Sequence, residues 1–142
     1  MLQLREINGD NFYDCINLKV KEEQNRFVAS NVKSLAQAWV CGSVAHPFSI
    51  YYEDVMIGFL MLNYDKDDKE CGIWRFMIDE KYQNMGYAKK AMQVILEYIK
   101  SNPAFETVRL SFQPDNIVAE KLYRNSGFIP TGETVMVLKL VR

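Results

Sequence analysis

Apolar and polar positions change period several times along the chain, and each change marks an element. Leu2 and Leu4 alternate with an outward Arg5, which predicts a first strand ending near Asn8-Gly9. From Phe12 to Asn25, Cys15, Ile16 and Val20 fall at helical spacing, so one helix is expected there. Ser34 reads as the N-cap of a second helix through Leu35, Ala38 and Trp39. Phe48 to Glu53 and Val55 to Tyr64 are rich in β-branched and aromatic residues and flank Glu53-Asp54, which predicts a hairpin. Cys71 to Ile78 reads as a further strand. Ala88, Ala91, Met92, Ile95 and Ile99 then share one helix face, and Asn102-Pro103 stops that helix. Val108 to Phe112 is a strand, and Pro114, Asp115 and Asn116 open a helix with Ala119, Leu122 and Tyr123 on one face. Gly127 stands at that helix's C-terminus, and Val135 to Val141 closes the chain as a strand. The order implies an α/β fold, a mixed sheet flanked by helices.

Composition narrows the class. At 142 residues, with 49% hydrophobic and 25% charged, residues 1–142 make one ordinary globular domain. Its net charge of −1 gives no basic surplus for nucleic acid or an anionic membrane. No apolar run is long enough to span a bilayer, and Met1 to Asp10 lacks the pattern of a signal peptide, so the expected address is the cytoplasm. Asp65, Asp67, Asp68 and Glu70 crowd one stretch, read either as a solvated loop or as a local field for a cation. Cys15, Cys41 and Cys71 are far apart and lack CxxC spacing, so buried thiols are expected and no metal site. His46, before Pro47 in an expected loop, reads as structural or surface.

The chemistry concentrates between residues 78 and 90. A strand ends near Ile78-Asp79, Gln83-Asn84-Met85-Gly86-Tyr87-Ala88 follows, and then a helix begins. A helix start leaves backbone N–H groups without partners, and its dipole favours negative charge. Gly86 lets backbone approach a ligand, Ala88 does not obstruct it, Gln83 can donate, and Lys89 and Lys90 bring positive charge. The arrangement suits a phosphate or pyrophosphate. Alone, a glycine before a helix is more often a turn device.

Gln83-Asn84-Met85-Gly86-Tyr87-Ala88 resembles the Arg/Gln-x-x-Gly-x-Gly/Ala signature of the GNAT acetyltransferases. Asn116 to Ala119, Tyr123 and Gly127-Phe128 resemble that family's second motif, Asn-x-x-Ala-x-x-x-Tyr-x-x-x-Gly-Phe. The likeness runs over essentially the whole chain and is strongest from Trp74 to Phe128. It implies the GNAT fold, with a mostly antiparallel sheet, and acetyl-CoA as co-substrate. It also implies roles. Main-chain groups of Met77 and Ile78 would hold the pantetheine arm, and Met85, Gly86, Tyr87, Ala88 and Lys89 the pyrophosphate, with Gln83 beside them. Asn116 would touch the cofactor arm, or cap its helix, or both. Tyr123 would lie near the thioester sulfur and give the departing thiolate its proton; on spacing alone it is a core aromatic. An alkylammonium of pKa about 10.4 is neutral about once in a few thousand molecules near pH 7, so a base, or a desolvating site, must release its proton.

For the acceptor, Val20 to Gln24, Phe27 to Asn31, Ser34 to Ala38, Trp74 to Ile78 and Tyr82-Gln83 resemble a bacterial GNAT subgroup that acetylates spermine and spermidine. The resemblance implies a polyamine, met by Glu22, Glu23, Phe27 and Trp74; the other readings are a solvated helix end for the glutamates and plain packing for Trp74. Some polyamine acetyltransferases carry a glutamate on the motif strand, where Trp74-Arg75-Phe76 stands here, so no base is named. The alternatives are another amine (a protein N-terminus, an amino sugar or a drug) and a non-catalytic acyl-CoA sensor. Pairing in the family suggests a homodimer.

Overall fold

The computed structural model describes residues 1–142. Seven strands form one sheet: β1 (Leu2–Glu6), β2 (Ala45–Tyr52), β3 (Val55–Asp65), β4 (Glu70–Ile78), β5 (Thr107–Ser111), β6 (Ile129–Pro130) and β7 (Val135–Lys139). Their order is β1-β2-β3-β4-β5-β7-β6. Only β4 and β5 run parallel; every other pair is antiparallel. The helices are α1 (Phe12–Asn17), α2 (Asn31–Cys41), α3 (Tyr87–Lys100) and α4 (Ile117–Asn125).

The sheet separates two apolar layers. On one face α3 buries Ala91, Met92, Ile95 and Ile99 against Ile50, Leu60, Leu62, Ile73 and Val108, and Tyr123 of α4 packs there too. On the other face Cys15 of α1 and Leu35 and Ala38 of α2 pack with Phe59, Met61 and Met77. At roughly 25 cal/mol per Å² of apolar surface removed from water, these layers are the main favourable contribution to folding. At Gly58 of β3 the backbone of β4 leaves no room for a side chain: a Cβ built there would stand 2.4 Å from the Met77 carbonyl oxygen.

Several expectations are corrected. The helix expected over 12–25 stops at Asn17, because distant partners capture its next hydrogen-bonding groups. Asn31 Nδ2 donates to the Cys15 carbonyl (2.9 Å), the Lys19 N–H goes to Asp79 Oδ1 (2.9 Å), and the Lys19 carbonyl accepts from the Glu80 N–H (2.8 Å). A separate 3-10 turn, Glu22–Gln24, follows. The cap of α2 is Ser30, which accepts from the Lys33 N–H, whereas Ser34 is buried inside the helix and Trp39 is 88% exposed. His46 lies in β2, stacked on Tyr64 at 3.8 Å. Cys41 is exposed, unlike Cys15 and Cys71. The short β6 carries only two residues, too few for a pattern to announce it. The acidic stretch is the solvated turn from β3 to β4, at the opposite end of β4 from residues 83–88, with Glu70 paired to Arg109 (2.7 Å). No helix is long and apolar enough to cross a membrane.

Candidate functional site

The site begins as a defect in the sheet. Arg75 pairs with Met61 and Ile73 with Leu62, so Trp74 is an extra residue in β4. Such a bulge bends its strand and increases its twist. β5 pairs with β4 only from Glu70 to Ile73, and beyond that point the parallel strands separate. Residues 74–78 therefore have one open edge. Asp79 donates its N–H to the Ile57 carbonyl (2.8 Å), and antiparallel pairs alternate. The main-chain groups of Met77 thus turn to β3, while those of Phe76 and Ile78 face the gap.

The gap widens into a cleft of about 890 Å³. One wall is Val20, Gln24, Phe27, Val28 and Ala29; another is Asn84, Gly86, Tyr87, Ala88 and Lys89; α4 supplies Asn116, Ala119 and Tyr123. Trp74 to Ile78 form its floor. The structure thus brings together Phe27, Trp74, Met77, Ile78, Gln83, Gly86, Tyr87, Ala88, Lys89, Asn116 and Tyr123. It leaves out Met85, which is 58% exposed beside the loop, and Glu22 and Glu23, which are exposed on the 3-10 turn next to Gln24. No Asp or Glu lines the cleft.

The start of α3 is the cleft's anion-binding feature. Asn84 (φ 62°) and Gly86 (φ 83°) both take left-handed backbone, which turns the chain sharply into the helix. A Cβ at Gly86 would meet nothing within 4 Å, so the glycine is required for conformation and leaves the space in front of it open. Gly86 is the N-cap and offers no side chain, unlike Ser30 and Asn116 on α2 and α4. The N–H groups of Tyr87, Ala88 and Lys89 have no partner inside the helix and are left for water or a ligand. Lys89 adds positive charge at the wall, while Lys90 turns toward the rings of Tyr52 and Tyr87 at 5.8 and 5.9 Å.

Gln83 does donate, but to partners within the protein. Its Nε2 donates to the Ile78 carbonyl (2.9 Å) and to Gln24 Oε1 (2.9 Å), and its Oε1 accepts from Gln24 Nε2 (3.1 Å). Both of its N–H bonds are spent on positioning. Gln24 also accepts from the Lys21 N–H (3.0 Å), so one amide pair fastens the 21–24 turn to the loop before α3. Arg26 and Asp115 make a second, exposed link at 2.5 Å between the 21–30 segment and the turn before α4. Gln24, Arg75, Phe76 and Asn84 stand inside the quoted motifs but carry no expected role there, although all four line the cleft. Arg75 was the one with a signal, a charge inside an otherwise apolar strand.

Asn116 caps α4 by accepting from the Ala119 N–H (3.3 Å) and still lines the cleft. Tyr123 is half-buried, its ring 6.0 Å from that of Phe128. Burial pushes its phenol up to about 12, so it stays protonated at neutral pH and has a proton to give. Arg75 has its Nη1 on the Trp74 carbonyl (3.1 Å) and its Nη2 on Gln37 Oε1 of α2 (2.8 Å).

Residues 3–128 match the family described as acetyltransferase (GNAT) family. A spermine/spermidine N(1)-acetyltransferase of Bacillus subtilis is 30% identical, over 93% of this chain and 90% of that protein. Among solved structures, spermidine N-acetyltransferase from Vibrio cholerae with CoA and spermine has a TM-score of 0.81 at 16% identity, over 97% of this chain and 95% of that one. The ribosomal-protein-S18-alanine N-acetyltransferase of Escherichia coli has a TM-score of 0.75 at 17% identity, over 100% and 96%. One fold thus serves enzymes named for a small polyamine and for a protein terminus, and the fold alone does not select the acceptor.

Proposed function

The chain belongs to the acetyltransferase (GNAT) family, and from that premise we propose that it transfers an acetyl group from acetyl-CoA to a primary amine of a polyamine such as spermidine or spermine. The observation that carries the reading is the parting of β4 from β5 at Trp74, which leads to the uncapped start of α3. An open strand edge suits an amide-bearing arm, and uncapped N–H groups beside a lysine suit a pyrophosphate. The residues present therefore fit acetyl-CoA, which supplies a thioester-activated acetyl group.

In this reading Tyr87, Ala88 and Lys89 hold the pyrophosphate through their N–H groups, with Met85 and Gly86 shaping the turn. The main-chain groups of Phe76 and the N–H of Ile78 serve the arm, in place of the Met77 pair that faces β3; the Ile78 carbonyl is taken by Gln83. Gln83 holds the loop, and Asn116 both caps α4 and meets the arm. Tyr123 gives its phenolic proton to the leaving sulfur. Phe27 and Trp74 offer aromatic faces to the acceptor. Glu22 and Glu23, exposed two residues and one residue before Gln24, meet the ammonium groups of a polyamine that stay outside the cleft.

The Bacillus relative supports the polyamine acceptor. Competition kinetics among spermidine, lysine and a peptide amine test it. A kcat/KM for spermidine at least tenfold above the others is expected; a preference for either of the others overturns the acceptor and leaves the acetyl transfer in place.

A further inference from the structure

The floor of the cleft holds a positive charge with no counter-charge. Arg75 lines it, forms no ion pair with any carboxylate, and has a buried Nε without a partner. Its guanidinium lies 5.1 Å from the centre of the Trp74 ring and is fixed through Gln37 and the Trp74 carbonyl. Arg75 is half-buried, and where an arginine loses solvent an acid ordinarily pairs with it, yet none stands here. Burial lowers its pKa from the ordinary arginine value and leaves it charged at neutral pH. Arg75 pairs with Met61, which packs in the α1–α2 layer with Val28 and Trp74, so it stands on the α1–α2 face of the sheet, opposite α3. An arm laid from the α3 start back along residues 78 to 74 ends where β4 and β5 part, beside Arg75.

Resting on the acetyl-transfer reading, we propose that Arg75 keeps the acceptor amine neutral by like-charge repulsion. A cation nearby disfavours the ammonium form of its neighbour. The acceptor ammonium releases one proton to bulk water. The nitrogen lone pair then forms the C–N bond as the C–S bond breaks. The sulfur takes a proton from Tyr123, which is replaced by the second proton leaving nitrogen. One proton passes to solvent per turnover.

The surrounding titratable groups do not supply a base. Cys15 of α1 is pushed up to about 11 by burial and stays a thiol. Lys33 and Cys41 of α2 are exposed. Across the cleft stand Lys89, a cation, and three phenols, Tyr82, Tyr87 and Tyr123, the last held protonated by burial. Asp79, at the end of β4, has its two oxygens on the N–H groups of Lys19 and Lys81 (2.9 and 3.1 Å). Glu22 and Glu23 lie outside the cleft.

The test is the pH dependence of kcat at saturating acetyl-CoA and spermidine, which reports groups in the bound complex. Arg75→Gln is expected to move the ascending limb up by about one pH unit, a tenfold loss of kcat at pH values below it. Arg75→Lys keeps the limb near its original place, and acetyl-CoA affinity is unchanged in both. A uniform fall in kcat with the limb unmoved overturns the proposal, as does an equal shift in both variants. A KM rise confined to carboxylate-bearing amines also overturns it, since Arg75 would then be an anion holder. A series of acceptor amines of decreasing pKa tests the wild type without any variant. The limb must track the amine; a fixed limb reveals a base on the enzyme and contradicts the proposal. No turnover of any amine removes the acetyl-transfer reading, and this inference with it.

Discussion

Tyr123 is the residue on which acid chemistry depends in this account. Its phenol, pushed up to about 12 by burial, is present as the acid at every pH at which the fold is ordinarily handled. Tyr123→Phe keeps the ring that packs toward Phe128 and removes only the proton. It is expected to lower kcat by about tenfold or more, with acetyl-CoA affinity by calorimetry changed less than about twofold. Loss of acetyl-CoA affinity with little loss of kcat would assign Tyr123 to binding instead. The raised pKa also has a signature in the rate profile. Loss of the phenol proton cannot shape activity below about pH 10, so a descending limb of kcat between pH 7 and 9 contradicts the role.

At the scale of elements, the cofactor side is held by two differently finished helix starts. Asn116 caps α4, and Asn116→Ala is expected to cost about 1 kcal/mol, seen as a lower midpoint in urea unfolding. Asn116→Ser restores most of the stability through its own hydroxyl; an acetyl-CoA affinity that stays low in the serine variant shows the separate contact with the cofactor arm. β3 and β4 meet at Gly58, where an added Cβ strikes backbone that cannot swing aside. Gly58→Ala is therefore expected to destabilise by about 2 kcal/mol or more, read from denaturant midpoints. How legible each element was depends on where its partners lie. The loop 83–88, its glycine and α3 are contiguous, so motif and helical face showed them directly. The cleft wall of residues 20–29 is held by pairs distant in sequence, such as Gln24 with Gln83, 59 residues apart. Other bonds to distant residues, from Asn31, Asp79 and Glu80, end α1 at Asn17, where local periodicity continues. The bulge at Trp74 that opens the cleft has no signature in composition, because an extra residue is defined only against the partner strand.

Across the whole molecule, the two buried layers set both stability and the direction of its pH dependence. Burial pushes Cys15 and Cys71 up to about 11 and about 12 from a usual value of 9.0, and Tyr123 up to about 12 from 10.0. The unfolded chain loses these protons first. The stability they contribute is complete below about pH 9 and is lost as pH rises toward 12. The melting temperature should fall steadily across that range, and Cys71→Ala should flatten the fall; a melting temperature independent of pH from 8 to 11 would contradict this. The same layers hold the sheet whose parted strands form the cleft, and the central claim is that this cleft transfers an acetyl group to an amine. The most direct measurement is CoA release from acetyl-CoA with spermidine, spermine, putrescine, lysine, a peptide amine and an aminoglycoside, with wild type and Tyr123→Phe side by side. Rapid release with spermidine or spermine is expected, matched by N-acetylated product and cut about tenfold or more in the variant. Tight acetyl-CoA binding with no amine-dependent release would contradict it and leave an acyl-CoA-binding protein without turnover.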